Sequence, residues 1–114
     1  MCIFCKIAAG DIPAKKLYED EDVLAFHDIN PAAEVHFLII PKKHIASMAE
    51  LTSEDVGVMG KIMVLAQRLA IEAGTPNGFR TIVNTGPIGR QEVPHLHVHI
   101  LGGSKPLPAM LVKQ

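Results

Sequence analysis

Three histidines stand at alternate positions of an apolar run, "HLHVHIL" over residues 95–101, and they are half of the six histidines in the chain. In an extended strand, alternate side chains share a face. His95, His97 and His99 would then form a row at spacings of roughly 6.6 Å over a wet surface, while Leu96, Val98 and Ile100 turn to the core. Such a row suits two chemistries. One is metal ligation, to which His-x-His is a common strand contribution, and the other is nucleophilic or acid/base work on a phosphoryl group. A single histidine serves readily as a half-polar strand residue; three in register do not.

The flanks favour phosphoryl chemistry. Gly86, Gly89, Gly102 and Gly103 bracket the row and would allow a ligand close to the backbone. Asn84 ends the preceding strand and offers an amide donor. Asp28 ends another strand before a loop, where a carboxylate can accept from paired hydroxyls such as those of ribose. Anion, sugar and nucleophile together describe a nucleotide site. A second constellation, Cys2 and Cys5, is a Cys-x-x-Cys that reads as half a zinc site, a redox pair or two small buried hydrophobes.

Several elements must position these groups. "IFCKIAAGDIP" predicts a short helical turn closed by Gly10 and stopped by Pro13. The runs "KLYE" and "VLAFHD", separated by Asp20-Glu21-Asp22, predict a hairpin. "DINPAAEV" predicts a loop, and "HFLIIP" a third strand ended by Pro41. From Thr52 the pattern turns helical, with Thr52 and Asp55 as a capping pair and Gly74 as the stop. Val56, Met59, Met63, Ala66 and Ala70 form one stripe, expected to cover the sheet. Val58, Ile62, Leu65 and Leu69 form a second, which would either broaden a buried helix or, the preferred reading, make a dimer contact. "FRTIVN" (79–84) and "HLHVHIL" supply the last strands. The expectation is a single domain over residues 1–114: an α+β fold, with about five mainly antiparallel strands, one long helix and a short N-terminal helix.

Composition excludes other classes. With 114 residues, 48% hydrophobic and 20% charged, the chain is long enough for a real core and too apolar for disorder. A net charge of −1 and one short basic cluster, Lys42-Lys43-His44, give no nucleic-acid footprint and no attraction to an acidic membrane surface. No run is long enough to span a membrane and no signal peptide is visible, so a cytoplasmic location is expected.

"HLHVHILGG" resembles the histidine triad motif of the HIT nucleotide-binding hydrolases, and its Leu-Gly-Gly continuation is similar to the Hint branch, the nucleoside phosphoramidases. "CIFCKI", "GDIPAKKLYEDEDVLAFHDINP", "HFLIIPKKHI" and "TIVNTG" resemble Hint segments in the same order, so the likeness runs nearly the whole chain. The resemblance implies a homodimer that cleaves purine nucleoside 5′-phosphoramidates, with no catalytic metal. His97 would attack the α-phosphorus and become a nucleotidyl-imidazole that water hydrolyses. His99 would contact the phosphate, with His36 and His95 supporting the triad. Asp28 would hold the ribose, Phe4, Ile7, Phe26 and Ile29 would wall the purine, and Asn84 would help fix the nucleotide. Backbone N–H groups of the Gly86–Gln91 loop, Gly89 and Gln91 among them, would stabilise phosphoryl charge.

The resemblance further implies a structural zinc on Cys2, Cys5, His44 and His95, as in some bacterial-type members. Two alternatives stand beside the phosphoramidase reading: a nucleotide-binding or zinc-stabilised interaction module with residual hydrolysis, and a dinucleoside polyphosphate hydrolase. The chain departs from the branch at Glu92, where many members have Ser or Thr, at Pro94 in place of Tyr, and at Arg90 in place of a small residue. A carboxylate facing a phosphate would repel it, so Glu92 is expected to meet an amine leaving group, turn outward or pair with Arg90. The preferred expectation is a taste for cationic, lysine-like leaving groups.

Overall fold

The computed structural model describes residues 2–110. A short helix, α1 (Ile3–Ala8), precedes a hairpin of β1 (Lys16–Glu19) and β2 (Val23–His27), then β3 (Val35–Pro41), the long helix α2 (Val56–Ala73), β4 (Arg80–Ile82) and β5 (Val98–Gly102). The five strands form one antiparallel sheet in the order β1-β2-β3-β5-β4. The chain is thus the expected α+β fold with one long helix and a short N-terminal one.

Local chemistry explains the boundaries. The Asp20 carboxylate accepts from the N–H groups of Asp22 (2.8 Å) and Val23 (2.9 Å), which closes the β1–β2 turn. Thr52 and Asp55 form the predicted reciprocal capping box, but around a 3₁₀ turn, Ser53–Asp55, so that α2 proper begins at Val56. Gly74, at φ 108°, ends α2 in the left-handed conformation that favours glycine.

Strand alternation divides the core in two. Val23, Ala25, Phe37, Ile39, Val98 and Ile100 pack on one face under α2, while Leu24, Phe26, Leu38 and Ile40 pack on the other against Phe4 and Ile7 of α1. His36 and His99 fall on the α1 face, so α1 and the triad strand share one side of the sheet.

Three expectations are corrected. The β5 ladder starts at Val98, leaving His95 and His97 in the segment before it, because β3 ends at Pro41, which has no N–H to donate. Leu96 instead donates its N–H to the Ile45 carbonyl at 2.7 Å. The stripes of α2 are also reassigned. Ile62, Leu65 and Leu69, with Ala66 and Ala70, face the sheet, whereas Val56 and Met63 are exposed. The second stripe is therefore core, and the outward apolar face is Val56, Met63, Val64 and Ile71. Third, Gly102 and Gly103 serve the fold: a side chain on Gly102 would collide with buried Thr75, and one on Gly103 with Glu34.

Candidate active site

His97, His99, His36, Asp28, Asn84 and Phe4 line one cavity of about 380 Å³. It opens beside a larger groove of about 750 Å³, walled by Phe4, Ile7, Phe26 and Leu38, with Asp28 common to both. β3 contributes His36 and Leu38 from alternate positions of one face, the end of β2 brings Phe26 and Asp28, and β5 brings His99, opposite Leu38 in register.

The hydrogen bonds assign the imidazole tautomers. His97 Nδ1–H donates to the main-chain carbonyl of His95 at 2.7 Å, which leaves the Nε2 lone pair free at the cavity. The Ala32 N–H donates to His36 Nδ1 at 3.0 Å, so the His36 proton is on Nε2, which donates to His99 Nδ1 at 3.0 Å. The His99 proton is then on Nε2. One imidazole offers a lone pair; its neighbour, with ring centroids 4.9 Å apart, offers a donor.

Burial favours the neutral form of His99 and of His36. Desolvation lowers the His99 pKa to about 4, helped by the nearby His97 and His36, while Asp28 pulls the other way. Desolvation also lowers His36 against the same Asp28, whose carboxylate lies 3.6 Å from His36 Nε2. Another Asp28 oxygen accepts from the Asn30 N–H at 2.8 Å. Asp28, His36 and His99 converge closely, but the facing nitrogens of the two histidines are committed to each other.

His95 leads elsewhere. Its Nε2–H donates to the Pro41 carbonyl at 2.7 Å, and its Nδ1 lone pair lies 3.3 Å from Cys2 Sγ, 3.4 Å from Cys5 Sγ and 3.3 Å from His44 Nδ1. Cys2 and Cys5 Sγ are 3.1 Å apart, and His44 Nδ1 is 3.6 and 3.1 Å from them. A tetrahedral zinc with bonds of about 2.3 Å to sulfur and 2.0–2.1 Å to nitrogen has ligand–ligand edges of roughly 3.3–3.8 Å. Five of the six edges lie within about 0.5 Å of the value for their atom types, the sulfur–sulfur edge is shorter by roughly 0.7 Å, and the donor set suits zinc. Desolvation and the adjacent Cys2 raise the Cys5 pKa, a penalty that a cation would reverse.

The family model described as HIT domain matches residues 9–106. The chain belongs to this family. It is 50% identical over 101 residues to Protein HitA of Neisseria gonorrhoeae, covering 89% of this chain and 94% of that one. Among solved structures, a histidine triad protein from Clostridium difficile is 49% identical with a TM-score of 0.90 over 96% of both chains. A HIT family hydrolase from Legionella pneumophila Philadelphia 1 is 45% identical with a TM-score of 0.88, covering 92% of this chain and 95% of that one.

Within this HIT domain the predicted residues do not all meet. Ile29 is 91% exposed and reaches only the rim of the groove. Gln91 is spent on its own loop, accepting from the Gly86 N–H at 2.9 Å and donating to the Ala46 and Val93 carbonyls at 2.8 and 2.9 Å. The N–H groups of Gly89, Arg90 and Gln91 likewise bond to Thr85, Pro87 and Gly86 carbonyls. Those amides cannot cradle a phosphate as expected. Gly89 is glycine because a Cβ there would meet the Thr85 backbone. Arg90 and Glu92 both line the smaller cavity, and neither forms an ion pair among the described residues.

Asn30, Leu38 and Val93 line the cavity without having been singled out. For Leu38 the signal was present, since it lies two residues from His36 on the same strand face. Among the described residues no helix is long and apolar enough to cross a membrane.

Proposed function

We propose that the chain is a Hint-type hydrolase of purine nucleoside 5′-phosphoramidates, one domain over its whole length, working through a nucleotidyl intermediate on His97. The observation that carries this reading is the His97 Nδ1–H bond to the His95 carbonyl, which turns Nε2 to the cavity beside the His99 Nε2–H donor. His97 Nε2 attacks the α-phosphorus and forms a P–N bond. The bond from phosphorus to the leaving nitrogen breaks, its electron pair goes to that nitrogen, and the amine departs with a proton taken from water at the open mouth. Water then attacks phosphorus and gives a proton to the hydroxide left by the first step, the P–Nε2 bond breaks with its electron pair returning to Nε2, and the nucleoside monophosphate leaves with free imidazole restored.

His99 donates to a phosphoryl oxygen as charge grows there, and the Arg90 guanidinium supplies the positive charge that the loop amides cannot. Asp28 accepts from the ribose hydroxyls, and Phe4, Ile7 and Phe26 take the base. Glu92, unpaired at the mouth, selects an amine that carries positive charge. Cys2, Cys5, His44 and His95 hold a structural zinc, which supplies cross-linking and takes no part at phosphorus. The protein acts as a homodimer in the cytoplasm.

The test is to mix the protein with adenosine 5′-phosphoramidate, quench within seconds, and measure intact mass and AMP release beside His97→Asn. An AMP-sized adduct and free AMP in the parent, both absent in the variant, are expected. No adduct and no AMP, with AMP still bound, would turn the reading towards a nucleotide-binding module.

A further inference from the structure

Two residues join the four-ligand cluster to the nucleotide pocket's frame. Phe4 sits between the ligands Cys2 and Cys5 on α1, and its ring meets His97 edge-on at 5.1 Å, Phe26 at 5.5 Å and His95 at 6.1 Å. His95 offers Nδ1 to the cluster while its carbonyl fixes the tautomer of His97. Phe4 is the immediate neighbour of the ligand Cys5, and His97 lies two residues from the ligand His95.

α1 has little else to hold it. It is six residues long, far below what an isolated helix needs, and its N-cap acceptor is the Cys2 sulfur, 3.2 Å from the Cys5 N–H. The backbone hydrogen bonds of residues 2–11 all close within that segment. Among the described residues, every polar contact from this segment to the sheet side passes through the two thiols, to His44 and His95. Thiols are weak hydrogen-bonding groups, so without an ion it is apolar packing, chiefly of Phe4 and Ile7 with Ala8 beside them, that seats the helix.

Resting on the nucleotide reading above, we infer that the Cys2–Cys5–His44–His95 cluster is the positioning element of the nucleotide site: an ion bound there sets Phe4 and the His95 carbonyl, and so couples metal occupancy to nucleotide affinity. Metal bonds to Cys2 and Cys5 pin the residue between them, and a bond to His95 Nδ1 immobilises the carbonyl that orients His97. Without the ion α1 frays, Phe4 leaves the wall, and water reaches the base subsite. Coupling of binding free energies is reciprocal, so the nucleotide must tighten the metal by the factor by which the metal tightens the nucleotide.

The experiment compares chelator-stripped protein with protein reloaded by one equivalent of zinc, with AMP as the probe. Calorimetry is expected to show AMP bound about tenfold more weakly by the stripped form, within the usual span of such couplings. Competition with a chromophoric chelator should show zinc held more tightly by the same factor when AMP is saturating. Amide exchange should rise in residues 3–8 on stripping while β2, β3 and β5 stay protected. Cys5→Ser should resemble the stripped form even with zinc present. Phe4→Ala should keep its zinc, bind AMP weakly and lose most of the zinc dependence, keeping only the part that runs through the His95 carbonyl, an outcome that a merely structural ion would not produce.

Equal AMP affinity in the two forms, or no zinc retained on reloading, would overturn the coupling while leaving the nucleotide site in place. AMP bound by neither form would bring down the nucleotide reading and the coupling with it.

Discussion

An imidazole attacks phosphorus only when its lone pair is free and faces the substrate, and the His95 carbonyl arranges both for His97. The same logic assigns His99 the opposite task, because the relay from Ala32 through His36 leaves its proton on Nε2. Burial gives this relay a pH signature. His99 titrates near 4 in the folded chain and at 6.5 when free, so between these values the unfolded chain binds more protons. Stability contributed by the neutral ring is whole above pH 6.5 and is lost as pH falls towards 4. Melting curves from pH 7 to 4 should show a falling transition temperature, and His99→Asn should fall less steeply than the parent; parallel slopes would refute a buried neutral His99. Glu92 bears on choice of leaving group. It is exposed, and exposed ion pairs contribute about 0.2–1 kcal/mol, so Glu92→Ser should lower the ratio of rates for lysine-like over neutral leaving groups by roughly 1.4- to fivefold. An unchanged ratio would remove Glu92 from substrate choice.

At the scale of elements, alternation and caps were legible in the sequence while neighbours were not. The run of β1 and the capping box of Thr52 and Asp55 depend on adjacent residues, and the sequence displays them directly. Which stripe of α2 faces the sheet depends on how the helix is rolled against β3, and both stripes look equally apolar in the sequence. The triad spacing announced three histidines on one side; that His95 turns its ring to the cysteines depends on where β3 stops, at Pro41. The glycines beside the triad mark close approach without revealing what approaches, and for Gly102 the neighbour is Thr75, whose hydroxyl donates to the Gly78 carbonyl at 2.6 Å and accepts from the Gly103 N–H at 3.0 Å. Gly102→Ala is therefore expected to destabilise the fold by roughly 1–3 kcal/mol, as overpacking of a tight contact does. Denaturant unfolding checks this: weakened AMP binding at unchanged stability would return the glycine to a ligand-facing role.

For the whole molecule, the decisive surface is the one the protomer leaves uncovered. Val56 is 70% and Val64 79% exposed, and with Met63 and Ile71 they make a continuous outward stripe on a helix whose other side is already buried. β4 is the last strand at its side of the sheet, and among the described residues no strand pairs with its outer edge, next to exposed Phe79. A two-fold axis beside β4 would satisfy both at once: an isologous contact brings the same stripe and the same edge from each copy, so that helix covers helix and the sheet runs on through the pair. The parent is expected to sediment at twice the 12.3 kDa of one chain. Val64→Glu, which disturbs no core contact of the protomer, should sediment as a folded single chain, because two carboxylates would then face each other across the axis. A parent that sediments as one chain at micromolar concentration would leave the stripe without its partner and refute the dimer, while a Val64→Glu dimer would move the contact to another surface.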